Sequence, residues 1–269
     1  MEDAGLVTGK DSPQGILDFG IALSLFQLRR FPPQGRLAPW VEGYWQVSWD
    51  LGEGEEHLQS NISHASVNIA FEEDGTWLYG VPERIFARRL AGRGLVFGIK
   101  FLPGGFHPFE RSDLSRLRGE RIHLERLWPD TDPALCHRIL AEPSEAARIA
   151  AASALLEPRL PVKPARATAL AQRMLAGPRD LNVARAAQAL GLGERALEKL
   201  FKQQIGIGPK EILRRYRLQE AAERLARVDG PSCGDLALEL GYADQAHFIK
   251  DFKAVVGRPP NAYRASQGK

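Results

Sequence analysis

A repeat in the last third of the chain constrains its fold more than any other feature. Leu190-Gly191-Leu192 runs on to Leu200-Phe201-Lys202 and Gly206, with Pro209 beyond. Leu240-Gly241-Tyr242 runs on to Asp251-Phe252-Lys253 and Gly257, with Pro260 beyond. In each copy a short helix ends at Leu-Gly and turns. A second helix then closes on Phe-Lys and a glycine. This is a helix-turn-helix unit written twice. The buried face of such a second helix fixes its angle of entry, and the exposed face meets bases and phosphates in a DNA major groove.

The residues fill both units in detail. Residues 167–176 read as a helix bracing the first unit, and Asn182 caps a helix over 183–190. The next helix is expected over about 194–205. Leu197, Leu200 and Phe201 face inward with Gln204, while Arg195, Glu198, Lys199 and Lys202 face outward. In the second unit residues 234–240 precede the turn at Gly241, and the recognition helix spans about 244–256. Phe248, Phe252 and Val255 face the core there. Ala246, Ile249, Lys250 and Lys253 face out, with Gln245 at the tip. Pro209 opens a long helix expected over 210–228, a place where proline is tolerated. About 20 residues span roughly 30 Å, close to the ~34 Å of one DNA turn. One protomer could so place two recognition helices in successive grooves.

Each outward residue has two readings. Arg195 suits guanine O6 and N7, and Gln245 suits adenine, or both are simply solvated. The lysines fit phosphate contacts better than base contacts. Ile249 meets a thymine methyl or belongs to the core. Glu198 is out of place near phosphates unless it accepts from cytosine N4.

Charge agrees with this division. Residues 166–269 hold 18 Lys and Arg against 11 Asp and Glu, a balance of +7, whereas residues 1–165 carry −4. A basic segment joined to an acidic one is the footprint of a nucleic-acid module attached to something else. A length of 269 residues suits two domains, expected at 1–160 and 165–269. Three prolines within Glu157 to Pro164 mark the linker. Cys136 and Cys233 have no metal or redox spacing. The apolar run from Ile16 to Leu28 is too short to cross a bilayer, so a cytoplasmic protein without membrane contact is expected.

The first domain reads differently. After a partly helical stretch at 16–30, residues 41–49, 66–71, 76–79 and 94–101 alternate and are rich in aromatic and β-branched types. Turn signals at 51–54, 73–75 and 92–94 separate them. An antiparallel sandwich or small barrel follows. Helices are expected at 113–117, 133–141 and 144–156. The last has an apolar face of Ala147, Ile149, Ala150, Ala154 and Leu155, packed within the protomer or on a second one.

No metal-ligand spacing joins His57, His64, His107, His123 and His137, and no catalytic triad or phosphate loop is visible. A non-enzyme without cofactor or metal is expected. A metal-dependent barrel enzyme or repair protein fused to the same reader is the rival. Trp45, Trp49, His64, Trp77, Tyr79 and Lys100 lie on or beside the expected strands, and are candidates for binding a small-molecule effector. The alternative is that such aromatics only fill a core.

These residues carry a family resemblance. Residues 168–264 resemble the DNA-binding domain of AraC/XylS-type bacterial transcription regulators. The most specific part is Ala237-Leu238-Glu239-Leu240-Gly241-Tyr242, then Phe248, Phe252-Lys253, Gly257, Pro259-Pro260 and Ala262-Tyr263-Arg264. The resemblance implies seven helices, with base-contacting positions at Arg195, Glu198, Lys199, Gln245, Ala246, Ile249 and Lys250. Ala246 and Ile249 replace polar residues common in better-known members. Residues 97–109, with Leu127-Trp128, are similar to a smaller subgroup of the family. An α+β protein is expected: an N-terminal antiparallel β-barrel or cupin-like domain with helices, then an all-α domain with two helix-turn-helix units joined by a long helix. The implied partners are promoter or operator double-stranded DNA, RNA polymerase for an activator, a small-molecule effector and a second copy in a homodimer. A regulator without an effector, whose N-terminal domain only dimerises or binds another protein, is the alternative.

Overall fold

The computed structural model describes residues 7–8, 17, 25–33, 35–62, 64–83, 85–177, 181–227 and 229–267. The strands are β1 (Val7–Thr8), β2 (Phe26–Phe31), β3 (Val41–Asp50), β4 (Glu56–Asn61), β5 (Asn68–Glu72), β6 (Gly75–Tyr79), β7 (Phe86–Ala91), β8 (Arg93–Phe101) and β9 (Arg121–His123). Seven form one antiparallel sheet in the order β1-β2-β3-β8-β5-β6-β9, and β4 pairs with β7 in a separate ribbon. Among the described residues the sheet does not close on itself. The β-domain is an open sandwich rather than a closed barrel.

The two faces of the sheet have different work, as period-2 alternation dictates. One face buries Tyr44, Ile69, Phe71, Leu78, Phe97, Ile99 and Phe101. It is covered by α2 (Leu135–Ala141) and α3 (Glu145–Leu156), while α1 (His107–Glu110) follows β8. Ser144 caps α3 by accepting from the Ala147 N–H at 3.2 Å. The buried stripe of α3 is Ile149, Ala152, Leu155 and Leu156, whereas Ala150 and Ala154 point outward. The reason lies in the sheet: Tyr44 Oη meets Ser153 Oγ at 2.6 Å, and Arg148 donates to Gln46 at 3.0 Å. This helix therefore packs within the protomer.

Part of the expected N-terminal helix is a strand. Phe26–Phe31 pairs with β3 residue for residue, from Phe26 opposite Trp49 to Phe31 opposite Tyr44. Residues 16 and 18–24 of that expectation lie outside the described residues. Strands β1, β4, β7 and β9 fall outside the segments expected from the sequence.

The C-terminal part contains seven helices among the described residues, as the resemblance implied. They are α4 (Arg166–Leu175), α5 (Val183–Ala189), α6 (Glu194–Ile205), α7 (Pro209–Leu225), α8 (Cys233–Glu239), α9 (Gln245–Val256) and α10 (Pro260–Gln267). Proline occupies the first position of α7. That helix has 17 residues and spans about 26 Å at ~1.5 Å per residue, shorter than the sequence suggested.

Two buried clusters organise the molecule. The larger runs without a break from the sheet through α4, α5 and α6 to Ile212 on α7. The smaller gathers Leu218, Ala222 and Leu225 of α7 with Leu236, Phe248, Phe252 and Tyr263, and takes in Leu17 and Ile62 from the N-terminal part. Helix α7 thus belongs to both.

Candidate nucleic-acid interface and cavity

The two units match down to their turn hydrogen bonds. Leu192 N–H donates to Ala187 O, and Tyr242 N–H donates to Ala237 O, each at 2.9 Å. The turn residues Gly191 and Gly241 have φ of +65° and +74°, a region that a Cβ disfavours. Asn182 and Ser232 cap the first helices. In the second unit Asp244 also caps the recognition helix, accepting from the His247 N–H at 2.7 Å.

Each recognition helix is anchored by three buried residues. They are Leu197, Phe201 and Ile205 in α6, and Phe248, Phe252 and Val256 in α9. Leu200 and Val255, expected to face inward, are only half-buried, because each helix closes on the residue nearer its end. Phe252 sits between Phe248 and Tyr263, with ring centroids 5.7 and 5.6 Å away.

On the outer faces Arg195, Lys199 and Lys202 of α6 are exposed, as are Gln245, Ala246, Lys250 and Lys253 of α9. Ile249 is half-buried against the second cluster, so it serves the core at least in part. Glu198 pairs with Lys202 at 3.1 Å and lies against Gly208, where a Cβ would come within 2.5 Å of its Oε1. Gly208 caps α7, so this carboxylate sits at the positive end of a helix. That accounts for an acid among cations without a base contact. Local pattern reading could not have found the neighbours of α6 from the N-terminal part. Asp113 and Ser115, at the short 3-10 turn Leu114–Leu117, share a depression with Arg195, Lys199 and Lys202.

The second candidate site is a cavity of about 460 Å³ between the inner face of the sheet and the β4–β7 ribbon. Trp45, Trp49, His64, Tyr79 and Lys100 line it, as do Arg30, Glu42 and Arg88, which sequence reading missed. Trp77 is not at the cavity. Its ring stacks on His123 at 3.6 Å, and Arg121 lies 3.4 Å from its centroid. Phe101 points to the opposite face, against Phe106 and Phe109.

The charges that line the cavity are paired. Lys100 Nζ meets Glu42 at 2.6 Å, and burial lowers its pKa against the pull of that carboxylate. Glu72, buried, pairs with Arg88 at 2.6 Å and Arg121 at 3.0 Å, and accepts from Tyr79 Oη at 2.7 Å. Burial and the Glu72 carboxylate push the Tyr79 hydroxyl far above its ordinary range.

Helix α7 lies beside this cavity. The His64 ring meets Tyr216 of α7 edge-on, with centroids 5.4 Å apart. Arg215 donates to Pro82 O, beside the cavity, at 2.5 Å, and Arg118 pairs with Glu211 at 3.2 Å. The Pro103-Gly104-Gly105 turn also rests on the helical part, with Gly104 against Thr168 and Gln204. Among the described residues no group of three His, Cys, Asp or Glu side chains is placed to hold a metal ion. No described helix is long and apolar enough to cross a membrane.

Two helix-turn-helix units joined by α7, each with an exposed recognition face, define a double helix-turn-helix protein. A helix-turn-helix domain family matches residues 186–266, and a family described as a domain of unknown function matches residues 29–123. A putative AraC-like transcription regulator of Streptomyces lividans is 34% identical over 86 residues, 32% of this chain and 28% of that protein. The transcriptional regulator MtrA of Neisseria gonorrhoeae is 30% identical over 101 residues, 37% of this chain and 33% of its own length. This chain thus spans about a third or less of these curated relatives. The C-terminal domain of AraT, a response regulator from Geobacillus stearothermophilus, is 27% identical and covers 37% of this chain and 84% of its own, with a TM-score of 0.35. ToxT of Vibrio cholerae is 12% identical over 90% of this chain and 98% of its own, at a TM-score of 0.40. Residues 186–266 thus carry a helix-turn-helix domain similar to that of AraC-like transcription regulators.

Proposed function

We propose that this protein is a sequence-specific DNA-binding transcription regulator, and that its N-terminal cavity takes a small-molecule effector. Two turns with matching hydrogen bonds, each followed by an exposed face bearing Arg or Lys, carry the first half of this reading. In this reading the exposed Arg195 and Gln245 read bases, and the exposed Lys199, Lys202, Lys250 and Lys253 meet phosphates. The second half rests on a 460 Å³ cavity with aromatic walls and few polar groups, a size and lining typical of ligand sites. Its contact with α7 through His64 and Tyr216 gives an effector something to act on.

Selection of bound sequences from a random DNA pool, at stated salt, tests the DNA reading. Two enriched blocks about one helical turn apart are expected. A single block would mean that one unit only scaffolds, and no enriched motif in the presence or absence of cavity ligands would refute it. A ligand that binds the cavity without changing DNA affinity would remove the effector role, since only a differential binder shifts an equilibrium.

A further inference from the structure

Two tryptophans give the cavity flat aromatic surface on its sheet side. Trp45 and Trp49 on β3 stand directly opposite Gly98 and Gly94 on β8. Their indoles lie down on those glycines. A Cβ on Gly98 would fall 2.3 Å from the Trp45 ring, and one on Gly94 would fall 2.1 Å from the Trp49 ring. No side chain fits beneath them, so each ring covers strand backbone with one face and turns the other to the cavity. Both indole N–H groups are already committed. Trp45 donates to Asn68 Oδ1 at 3.2 Å, and Trp49 donates to Ala91 O at 3.1 Å.

Among the described residues that line the cavity, one alone has buried side-chain polar atoms without a hydrogen-bond partner, while the charged groups are paired. Lys100 is held by Glu42, and Arg88 by Glu72. Asn68 accepts from Trp45 and donates to Ser66 O at 3.3 Å. The exception is His64. Both of its ring nitrogens are buried, and neither has a hydrogen-bond partner among the described residues. Leaving such groups unpaired is costly, which points to a ligand group that completes them. Burial, helped by Lys100 and Arg30, holds the imidazole well below its ordinary pKa, so it is neutral and carries one donor and one acceptor.

We propose that the cavity binds a neutral, flat aromatic molecule bearing a hydroxyl, a phenol-type ligand, with the hydroxyl on His64 and the ring system over Trp45 and Trp49. A hydroxyl suits whichever imidazole nitrogen faces the cavity, because it donates to the bare nitrogen or accepts from the N–H. A carboxylate only accepts, and it would bring an unpaired charge among groups already paired. This assignment rests on the effector reading only in placing the ligand in this cavity. Binding measured without DNA tests it separately.

The experiment is calorimetric titration of the full chain with 2-naphthol, 2-naphthoate and naphthalene, repeated on His64→Leu and His64→Gln. Thermal unfolding of each variant confirms that it folds. 2-Naphthol is expected to bind the unaltered protein more tightly than either analogue. His64→Leu should weaken 2-naphthol roughly ten-fold, the worth of one buried hydrogen bond, and leave naphthalene unchanged. His64→Gln keeps a donor and an acceptor, and should retain most of the preference. Tighter binding of 2-naphthoate, or 2-naphthol binding indifferent to His64→Leu, would overturn the proposal, as would failure of all three probes to bind. 2-Naphthol binding with no change in affinity for the selected DNA would leave the ligand class standing and refute only the effector role.

Discussion

Replacing Phe201 or Phe252 by alanine should separate two units that look equivalent in the sequence. Both rings are fully buried anchors of a recognition helix. Truncating either costs about 3–5 kcal/mol, the usual range for a buried phenylalanine. What differs is the cluster that absorbs the loss. Phe201 shares one continuous core with Tyr44, Phe97 and Trp128, so its loss is felt in the β-domain. Phe252 belongs to the smaller cluster, whose N-terminal members are Leu17 and Ile62. From Leu218 to Gln267 that unit has roughly 50 residues, which at ~0.05–0.15 kcal/mol per residue hold about 2.5–7.5 kcal/mol. Phe252→Ala therefore brings the second unit to the edge of unfolding while the rest stands.

The chain carries its own reporter for this difference. All five tryptophans, at 40, 45, 49, 77 and 128, lie in the N-terminal half. Urea unfolding is followed by tryptophan emission and by far-ultraviolet circular dichroism. For Phe252→Ala the helical signal should fall in an early transition that leaves emission unchanged. For Phe201→Ala both signals should shift together to lower urea. Coincident transitions for Phe252→Ala, or unshifted emission for Phe201→Ala, would refute the two-cluster reasoning.

Further outcomes are expected on the same material. Lys250→Ala should lower the slope of log affinity against log salt by about 0.9 if Lys250 meets a phosphate; relaxation at a single base position would instead make it a base reader. His64 is held below its unfolded pKa of about 6.5, so the stability tied to its neutral form is present above that pH and is lost as pH falls toward the folded value. Below pH 6.5 the unaltered protein should therefore lose up to about 1.4 kcal/mol per pH unit more than His64→Leu, measured by urea unfolding at pH 7.5, 6.5 and 5.5. Gly98→Ala should drive the Trp45 indole into the cavity, cost about 1–3 kcal/mol, and abolish 2-naphthol binding without changing the selected DNA motif.

The helical half was legible because its signals are local. Asn182 and Ser232 cap the first helices, and Asp244 caps a recognition helix; Gly191 and Gly241 turn the chain; the 3.6-residue pattern sets the buried faces. Where the reading slipped, partners distant in sequence decided. Phe26–Phe31 reads as part of an apolar helix until β3 pairs with it. Glu56–Asn61 turns Gln59 and Asn61 to the cavity and leaves Leu58 exposed, and it finds Phe86–Ala91 only across the intervening β5–β6 hairpin, so neither announces a strand alone. Half of the cavity was visible as aromatic alternation. Arg30, Glu42 and Arg88 were not, because their place depends on strand register. Trp77 has the same facing as Tyr79, but lies two residues further along β6 and is taken by Arg121 and His123. Nothing local could link His64 to Tyr216.

That last contact decides how a ligand would be felt at the DNA-reading faces. Helix α7 is fixed at its start, where Gly208 receives Glu198 of the first recognition helix and Arg118 holds Glu211. It is fixed again along its second half, where Leu218, Ala222 and Leu225 enter the cluster of the second unit. Tyr216 lies between these attachments. A helix held at both ends responds to a push at its middle by tilting or by loosening one end. The two ends are not equal, because the first belongs to the core of the whole chain and the second to a smaller cluster. The weaker end yields first. Under the effector reading, a ligand that moves His64 should therefore change the second block of the recognised DNA more than the first. Footprints on a two-block site, with and without 2-naphthol, measure this. Equal changes in both blocks would mean that α7 moves as a rigid rod, and a change confined to the first block would reverse the ranking of the two attachments.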